Sequence, residues 1–325
     1  MSLPSTLSEK LRLPVVAAPL FIISNPDLVI EQCKAGIVGS FPSLNARGEE
    51  SFESWLIQIT EALAAHDAEN PDSPAAPFAV NLIVHRSNNR LEEDLALCVK
   101  YKVPLIITSL GARPEINEAI HSYGGIVLHD IIDNSFARKA IDKGADGIIA
   151  VAAGAGGHAG TQSPLALIQE IREWFDGPLL LSGAIGSGAS ILAAQAAGAD
   201  LGYIGSAFIA TTEARAVQGY KDCIAASSAK DIVYSNLFTG VHGNYLKPSI
   251  EAAGMDPNNL PESDPSKMDF GSGGNSDKKA WKDIWGAGQG IGAVKEVLST
   301  ADLVARLSAE YHAAFSSLSS SYKAN

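Results

Sequence analysis

The chain has 325 residues, 46% of them hydrophobic, with 30 glycines and a formal net charge of −12 at pH 7. That length buries a large core, and the glycine-rich apolar mixture suits an α/β protein with short loops. The acidic balance argues against nucleic-acid partners, which need a basic face to displace counterions, yet leaves room for an anionic small ligand held by backbone N–H groups.

The first apolar run, LPVVAAPL (13–20), reads as a buried strand, followed by a helix over 26–35. IVGS (37–40) is the second strand and SFESWLIQITEALAAH (51–66) the second helix. PFAVNLIV (77–84), VPLIITS (103–109), GIVLHDI (125–131), DGIIAVAA (146–153), GPLLLSG (177–183) and LGYIGSAF (201–208) add six strands. Helices are predicted near 90–101, 114–122, 135–143, 163–175, 187–197 and 214–226. Near-continuous apolar strands, each followed by a helix, mean a parallel sheet covered on both faces. Eight such units favour an α/β fold of the (β/α)8 TIM-barrel type over a doubly wound sheet, and no GxGxxG follows the first strand. Gly144-Ala145-Asp146 and Gly198-Ala199-Asp200 recur just before strands six and eight; the glycine ends a helix and the aspartate turns the chain.

Residues 1–228 thus carry the main part of the barrel. The alternation then lapses, and 229–290 is expected to form a lid or small subdomain, with the polar stretch 254–280 an excursion or a disordered insertion. Residues 291–325 are expected to return as C-terminal helices over 291–298 and 300–317 that pack on the barrel. Cys33, Cys98 and Cys223 lie far apart, fitting neither a disulfide framework nor a zinc site. They read as free thiols in a reducing compartment. No apolar run reaches signal-peptide or membrane-spanning length, so a cytoplasmic protein without membrane partners is expected.

Ligands of such a barrel meet the C-terminal strand ends. Ala18, Pro19 and Leu20 follow strand one, Asn81 and His85 strand three, Thr108-Ser109 strand four and His129-Asp130 strand five. Ser182-Gly183-Ala184-Ile185-Gly186 follows strand seven and Gly205-Ser206 strand eight. Those last two turns expose backbone N–H groups ahead of a helix N-terminus, a setting for a phosphate belonging to a phosphosugar, FMN or pyridoxal phosphate. His158 in GAGGHAG (154–160) has no bulky or acidic neighbour in sequence, which leaves it either a solvated turn residue or an imidazole exchanging a proton or hydrogen bond with substrate. No HxH or HExxH is present, and a metal site is not expected.

PVVAAPL, FAVNLIV, AAGAGGHAG, LLLSGAIGSG, GADLGYIGSAF with TTEA beyond, and WGAGQGIGAV together resemble the nitronate monooxygenase family, formerly 2-nitropropane dioxygenase, over roughly 12–298. The resemblance implies an FMN-dependent barrel that oxidises alkyl nitronates such as propionate 3-nitronate with O2. Related enzymes reduce quinones with NAD(P)H or reduce enoyl-acyl carrier protein. It implies that Ala18, Pro19 and Leu20 lie beside the flavin ring and that Asn81 hydrogen-bonds it. By the same resemblance Gly183 and Gly186 with Gly205 and Ser206 would hold the phosphate, and His129, Gly157, Ser182 and Gln289 would complete the cofactor site. His158 would be the active-site histidine, contacting the substrate nitro group or acting as base for a neutral nitroalkane. Neither a monomer nor a homodimer is excluded.

Two departures stand out. Asp130 occupies a position where related quinone reductases carry lysine, so either it points away or flavin-anion stabilisation is weakened. Phe21-Ile22-Ile23 suggests a bulky apolar substrate wall. The alternatives are an NAD(P)H-dependent quinone or enoyl reductase and, from another class, a phosphosugar isomerase or aldolase or a non-catalytic binding barrel.

Overall fold

The computed structural model describes residues 3–263 and 283–321. Strands β1 (Val15–Ala17), β2 (Gly39–Pro42), β3 (Phe78–Ile83), β4 (Leu105–Ser109), β5 (Ile126–Ile131), β6 (Gly147–Val151), β7 (Gly157–His158), β8 (Leu179–Ser182), β9 (Leu201–Ile204), β10 (Ile232–Ser235) and β11 (Gly243–Leu246) alternate with helices. The helices are α1 (Ser5–Ser8), α2 (Pro26–Lys34), α3 (Phe52–Glu69), α4 (Leu91–Lys100), α5 (Pro114–His121), α6 (Asn134–Asp142), α7 (Pro164–Arg172), α8 (Gly188–Ala196), α9 (Ser206–Ile209), α10 (Gln218–Ala226), α11 (Lys247–Ala252) and α12 (Thr300–Ser321).

Eight parallel strands run in the order β1-β9-β8-β6-β5-β4-β3-β2. The Val16–Val38 bridge closes the sheet, with Ala17 N donating to Val38 O at 2.8 Å, so the fold is a (β/α)8 TIM barrel. Strand alternation sorts each run into two cores. Leu105, Ile107, Ile126, Leu128, Ile149, Leu180 and Leu201 fill the barrel, and Leu7 of α1 packs with them. Val80, Ile106, Val127, Ile148 and Leu179 face the helices instead.

The repeated Gly-Ala-Asp does what its spacing implied. Gly144 and Gly198 take φ of +93° and +115°, a region that favours glycine. Asp146 Oδ2 then accepts from Val127 N and Asp200 Oδ2 from Leu179 N, both at 2.8 Å, so each carboxylate anchors the start of a neighbouring strand. Arg172 locks the second of these, donating to Asp200 at 2.6 Å and to the carbonyls of Gly198, Phe175 and Gly177.

Four sequence expectations change. β9 ends at Ile204 and Ser206 already starts α9, because small residues after the apolar run let the chain coil at once. The predicted 214–226 helix begins at Gln218. Over 291–298 there is a 3-10 turn (Gln289–Ala293) followed by extended chain that bridges Leu298 to Thr211. The loop after β6 is no free turn, since Gly157–His158 pairs with β11 and β11 with β10 in a second, antiparallel sheet. Within 254–280, residues 264–280 lie outside the described residues. Among the described residues no helix is long and apolar enough to cross a membrane.

The C-terminal helix α12 lies on α8 so closely that a Cβ on Gly188 would meet its backbone at Leu307 and Tyr311. Glu310 Oε2 accepts from Gly188 N at 2.8 Å, placing a carboxylate at the positive end of α8. Replacing Glu310 by alanine should therefore lower stability by about 0.5–1 kcal/mol in urea titrations, the usual size of a helix-terminal cap or charge effect.

Candidate active site

At the C-terminal mouth the inward-facing positions are Ala18, Ser40, Asn81, Ser109, Asp130, Val151, Ser182 and Tyr203, each in step along its strand with a barrel-core residue below it. Most of this ring is polar, unlike the apolar layers beneath. Asn81 Nδ2 donates to Ile107 O at 3.0 Å and to Ser109 Oγ at 2.8 Å, and Ser109 Oγ donates to Asp130 Oδ2 at 2.6 Å. Both amide hydrogens of Asn81 are thus spent within the protein, leaving its oxygen to meet a ligand donor. Asp130 points into the barrel, which settles one alternative, and burial raises its carboxyl to about 6. Tyr203 is pushed far above its usual range by burial and by Asp130.

His129 does not join this ring. It shares its side of β5 with Val127 and Ile131, and its Nδ1 lies 2.6 Å from Thr108 Oγ1 across the β4–β5 pair. One residue of strand alternation turns His129 to the helix side while Asp130 faces the mouth.

Between β6, β8 and β9 lies a small cleft of about 20 Å³, partly open to solvent and lined by Ser182, Gly183, Gly186, Gly205 and Ser206 together with Gly154, Gly156, Ala184, Tyr203, Ala207, Gly288 and Gly290. No lining residue is charged, and small residues bring backbone amides to the wall. At the α8 N-terminus Ser187 and Ser190 form a capping box, Ser190 Oγ accepts from Gly186 N at 3.2 Å, and Glu310 takes Gly188 N. The 183–186 turn faces Gly205, Ser206 and Ala207 across the cleft.

The glycines there serve backbone contact more than ligand clearance. A Cβ on Gly156 would lie 2.7 Å from Gly288 N and 2.8 Å from Ser206 Oγ, and one on Gly186 would overlap Gly290 O. Gly157 is different: its φ is +66° and nothing lies within 4 Å of where a Cβ would sit. Gln289 donates its N–H to Gly154 O at 2.8 Å and lays its exposed side chain beside Gly154 at the rim. Ala18 and Leu20 border Gly205 from the other side. In the β1–α2 loop, Asn45 accepts from Ile22 N and donates to the carbonyls of Leu20 and Ser24, holding Ile22 at a φ of 58°. That geometry exposes Ile22 and buries Ile23, so the apolar wall read from the sequence reduces to Phe21 and Ile22.

His158 stands in β7 opposite Gly243, outside the cleft lining. Its Nε2 lies 3.0 Å from Thr239 Oγ1, and the Thr239 hydroxyl donates to Val241 O at 2.9 Å. Thr239 therefore accepts, and the imidazole proton sits on Nε2. Burial pushes His158 to about 4, so the ring is neutral at pH 7. The partner hydroxyl lies 81 residues away and had no sequence signal. Asp130, Ser109 and Tyr203, by contrast, were within reach of strand alternation. Of the remaining histidines, His85 engages Ser87, His121 pairs with Asp146 and His242 stacks on Tyr234.

His129, like His158, is depressed by burial from 6.5 to about 4. The unfolded chain takes up protons first, so the stability these two neutral rings support is complete above pH 6.5, falls below it and is gone under about pH 4. Nitrogen-15 histidine spectra should show both rings neutral at pH 6 with the His158 proton on Nε2, and urea midpoints should fall across that window.

The sequence profile described as nitronate monooxygenase matches residues 5–310. A nitronate monooxygenase of Paraburkholderia phytofirmans is 28% identical over 351 aligned positions, covering 91% of this chain and 92% of that one. A nitroalkane oxidase from Streptomyces ansochromogenes superposes with a TM-score of 0.77 at 25% identity over 97% of this chain and 100% of that one. FabK from Thermotoga maritima shares the fold at a TM-score of 0.74 and 20% identity, over 98% of each chain. With a profile match that runs through all eight barrel strands and the turn closing the cleft, the chain belongs to the nitronate monooxygenase family of flavin-dependent oxidoreductases.

Proposed function

We propose that the protein binds FMN across the barrel mouth and oxidises alkyl nitronates with O2 to a carbonyl compound and nitrite. The cleft suits the phosphate of that cofactor in its chemistry: its lining holds no carboxylate to repel an anion, and small residues leave main-chain N–H groups at its wall. Ser182, Gly183, Gly186, Gly205 and Ser206 would hold the phosphate end. Ala18, Pro19 and Leu20 would flank the ring, with Asn81 below it and Gln289 at the rim. Bound FMN supplies the capacity to accept an electron from a carbanion-like substrate.

The observation that carries the choice of substrate is the His158–Thr239 contact, in which Nε2 lies 3.0 Å from a hydroxyl that itself donates to Val241 O. A ring held near 4 is a weak base at pH 7, poorly matched to removing a carbon-bound proton, whereas its Nε2–H can turn from Thr239 to a nitro oxygen. A nitronate arrives already deprotonated and needs only that hydrogen bond. The lid expected over 229–290 would include β10 and β11, which join β7 in one antiparallel sheet and would help to keep water from the reacting atoms. A sugar isomerase or aldolase finds no lysine in the inner ring and only one carboxylate.

The purified protein should carry a flavin absorption spectrum. Anaerobic mixing with propionate 3-nitronate should bleach it, and NADPH should not; rapid bleaching by NADPH alone would sink the monooxygenase reading in favour of a reductase. His158→Ala should keep bound FMN, because His158 lies outside the cleft, while losing on the order of 10²–10³-fold in kcat/KM, the usual cost of a lost transition-state donor. Equal losses of FMN and turnover would count against this role.

A further inference from the structure

Asp130 has no task in that reading, yet it is the acidic side chain of the inner ring. Its Oδ2 accepts from Ser109 Oγ at 2.6 Å, while no ion pair to it occurs among the described residues. The groups that face it are neutral. Ser109 comes from β4, Val151 from β6, Ser182 from β8 and Tyr203 from β9, the last a phenol held protonated by burial. The adjacent His129 is neutral and turned to the helix side, and Asp133 is occupied in capping α6. The nearby lysine, Lys143, donates to Ala112 O at 2.8 Å. Burial already lifts the carboxyl to about 6. A flat ligand laid over the mouth would strip the remaining water, and a carboxylate with one hydrogen bond and no cation is then poorly solvated.

We propose that Asp130 meets the flavin as a neutral carboxylic acid, a hydrogen-bond donor rising from the barrel floor, so that filling the site takes one proton from solvent. The step is balanced without redox change: carboxylate, solvent proton and flavin combine to a complex in which one carboxyl oxygen keeps the Ser109 bond and the other carries the proton toward a ligand acceptor. The inference rests on the FMN reading above, but concerns the charge state of the floor and not the reaction. It also gives an uncharged donor where a cation would otherwise offset charge on the ligand.

Linkage sets the test. If the bound form holds the proton, affinity must fall as pH rises above the carboxyl's free-state value, approaching tenfold per unit until the bound-state value is reached. Flavin dissociation constants are measured from recovered fluorescence on diluting the full-chain holoprotein between pH 6 and 9. The series is repeated with riboflavin, which lacks the phosphate's own ionisation. The wild type should weaken by about tenfold from pH 6.5 to 7.5. Asp130→Asn, which cannot ionise, should give a flat curve with riboflavin and keep only the phosphate's own pH dependence with FMN, and Ser109→Ala should shift the wild-type curve to higher pH by removing the bond that favours the carboxylate. Tight binding with the same pH dependence in wild type and Asp130→Asn would overturn this inference alone. No flavin binding at any pH would overturn the cofactor reading and this with it.

Discussion

The site depends on one contact between two backbones. The 286–290 turn lies against the 154–157 loop so closely that neither Gly156 nor Gly288 has room for a Cβ. Gln289 N donates to Gly154 O at 2.8 Å, Gly288 N to Ser206 Oγ at 2.8 Å and Ala287 N to Asn244 O at 3.2 Å. Asn244 Nδ2 in turn donates to Ala155 O at 2.7 Å, and Tyr220 stacks on Trp285 at 4.9 Å. The ends of β6 and β9, the second sheet and the C-terminal return are thereby joined at a single node. A side chain there must displace main chain rather than a flexible neighbour, a strain of about 1–3 kcal/mol. The cleft shape and the position of β7 both follow from this node.

Much of the fold was legible because it rests on local pattern. All eight apolar runs became barrel strands, and both Gly-Ala-Asp repeats became anchored helix-to-strand turns. Periodicity failed where small residues decide: Gly205-Ser206-Ala207 coils into α9 although it continues an apolar run, and 291–298 reads helical yet is held extended by its bridge to Thr211. Site residues divided in the same way. The cleft glycines were visible as turns after strands seven and eight. The capping of α8 by Glu310 and the hold of Thr239 on His158 come from 122 and 81 residues away, distances over which a single sequence carries no pattern. His129 and Asp130 are the instructive pair, since alternation along GIVLHDI decides which of them faces the mouth, and Leu128 in the barrel core fixes that register.

The charge of the chain and the charge of its site are opposed. A net charge of −12 is spread over the protein, yet the cleft lining is uncharged and His158 and His129 stay neutral at pH 7. Fixed dipoles replace ions: glycine amides at the cleft, a hydroxyl relay from Asn81 through Ser109 to Asp130, and an imidazole donor. On the proposed function, such a site would bind an anionic ligand without the desolvation penalty of an unpaired buried lysine or arginine, and its preorganised donors would need little rearrangement as charge moves.

That arrangement bears on substrate choice through His158. A histidine paired with a carboxylate would be raised and could serve as a base or a cationic acid. Here one partner among the described residues is a threonine hydroxyl that donates to a carbonyl, and burial lowers the ring to about 4. A neutral donor stabilises negative charge on a nitro group but does little to create a carbanion. On the proposed function, the energetic demand of making the carbanion would fall outside the protein, and the substrate would be one whose ionisation is complete before it arrives.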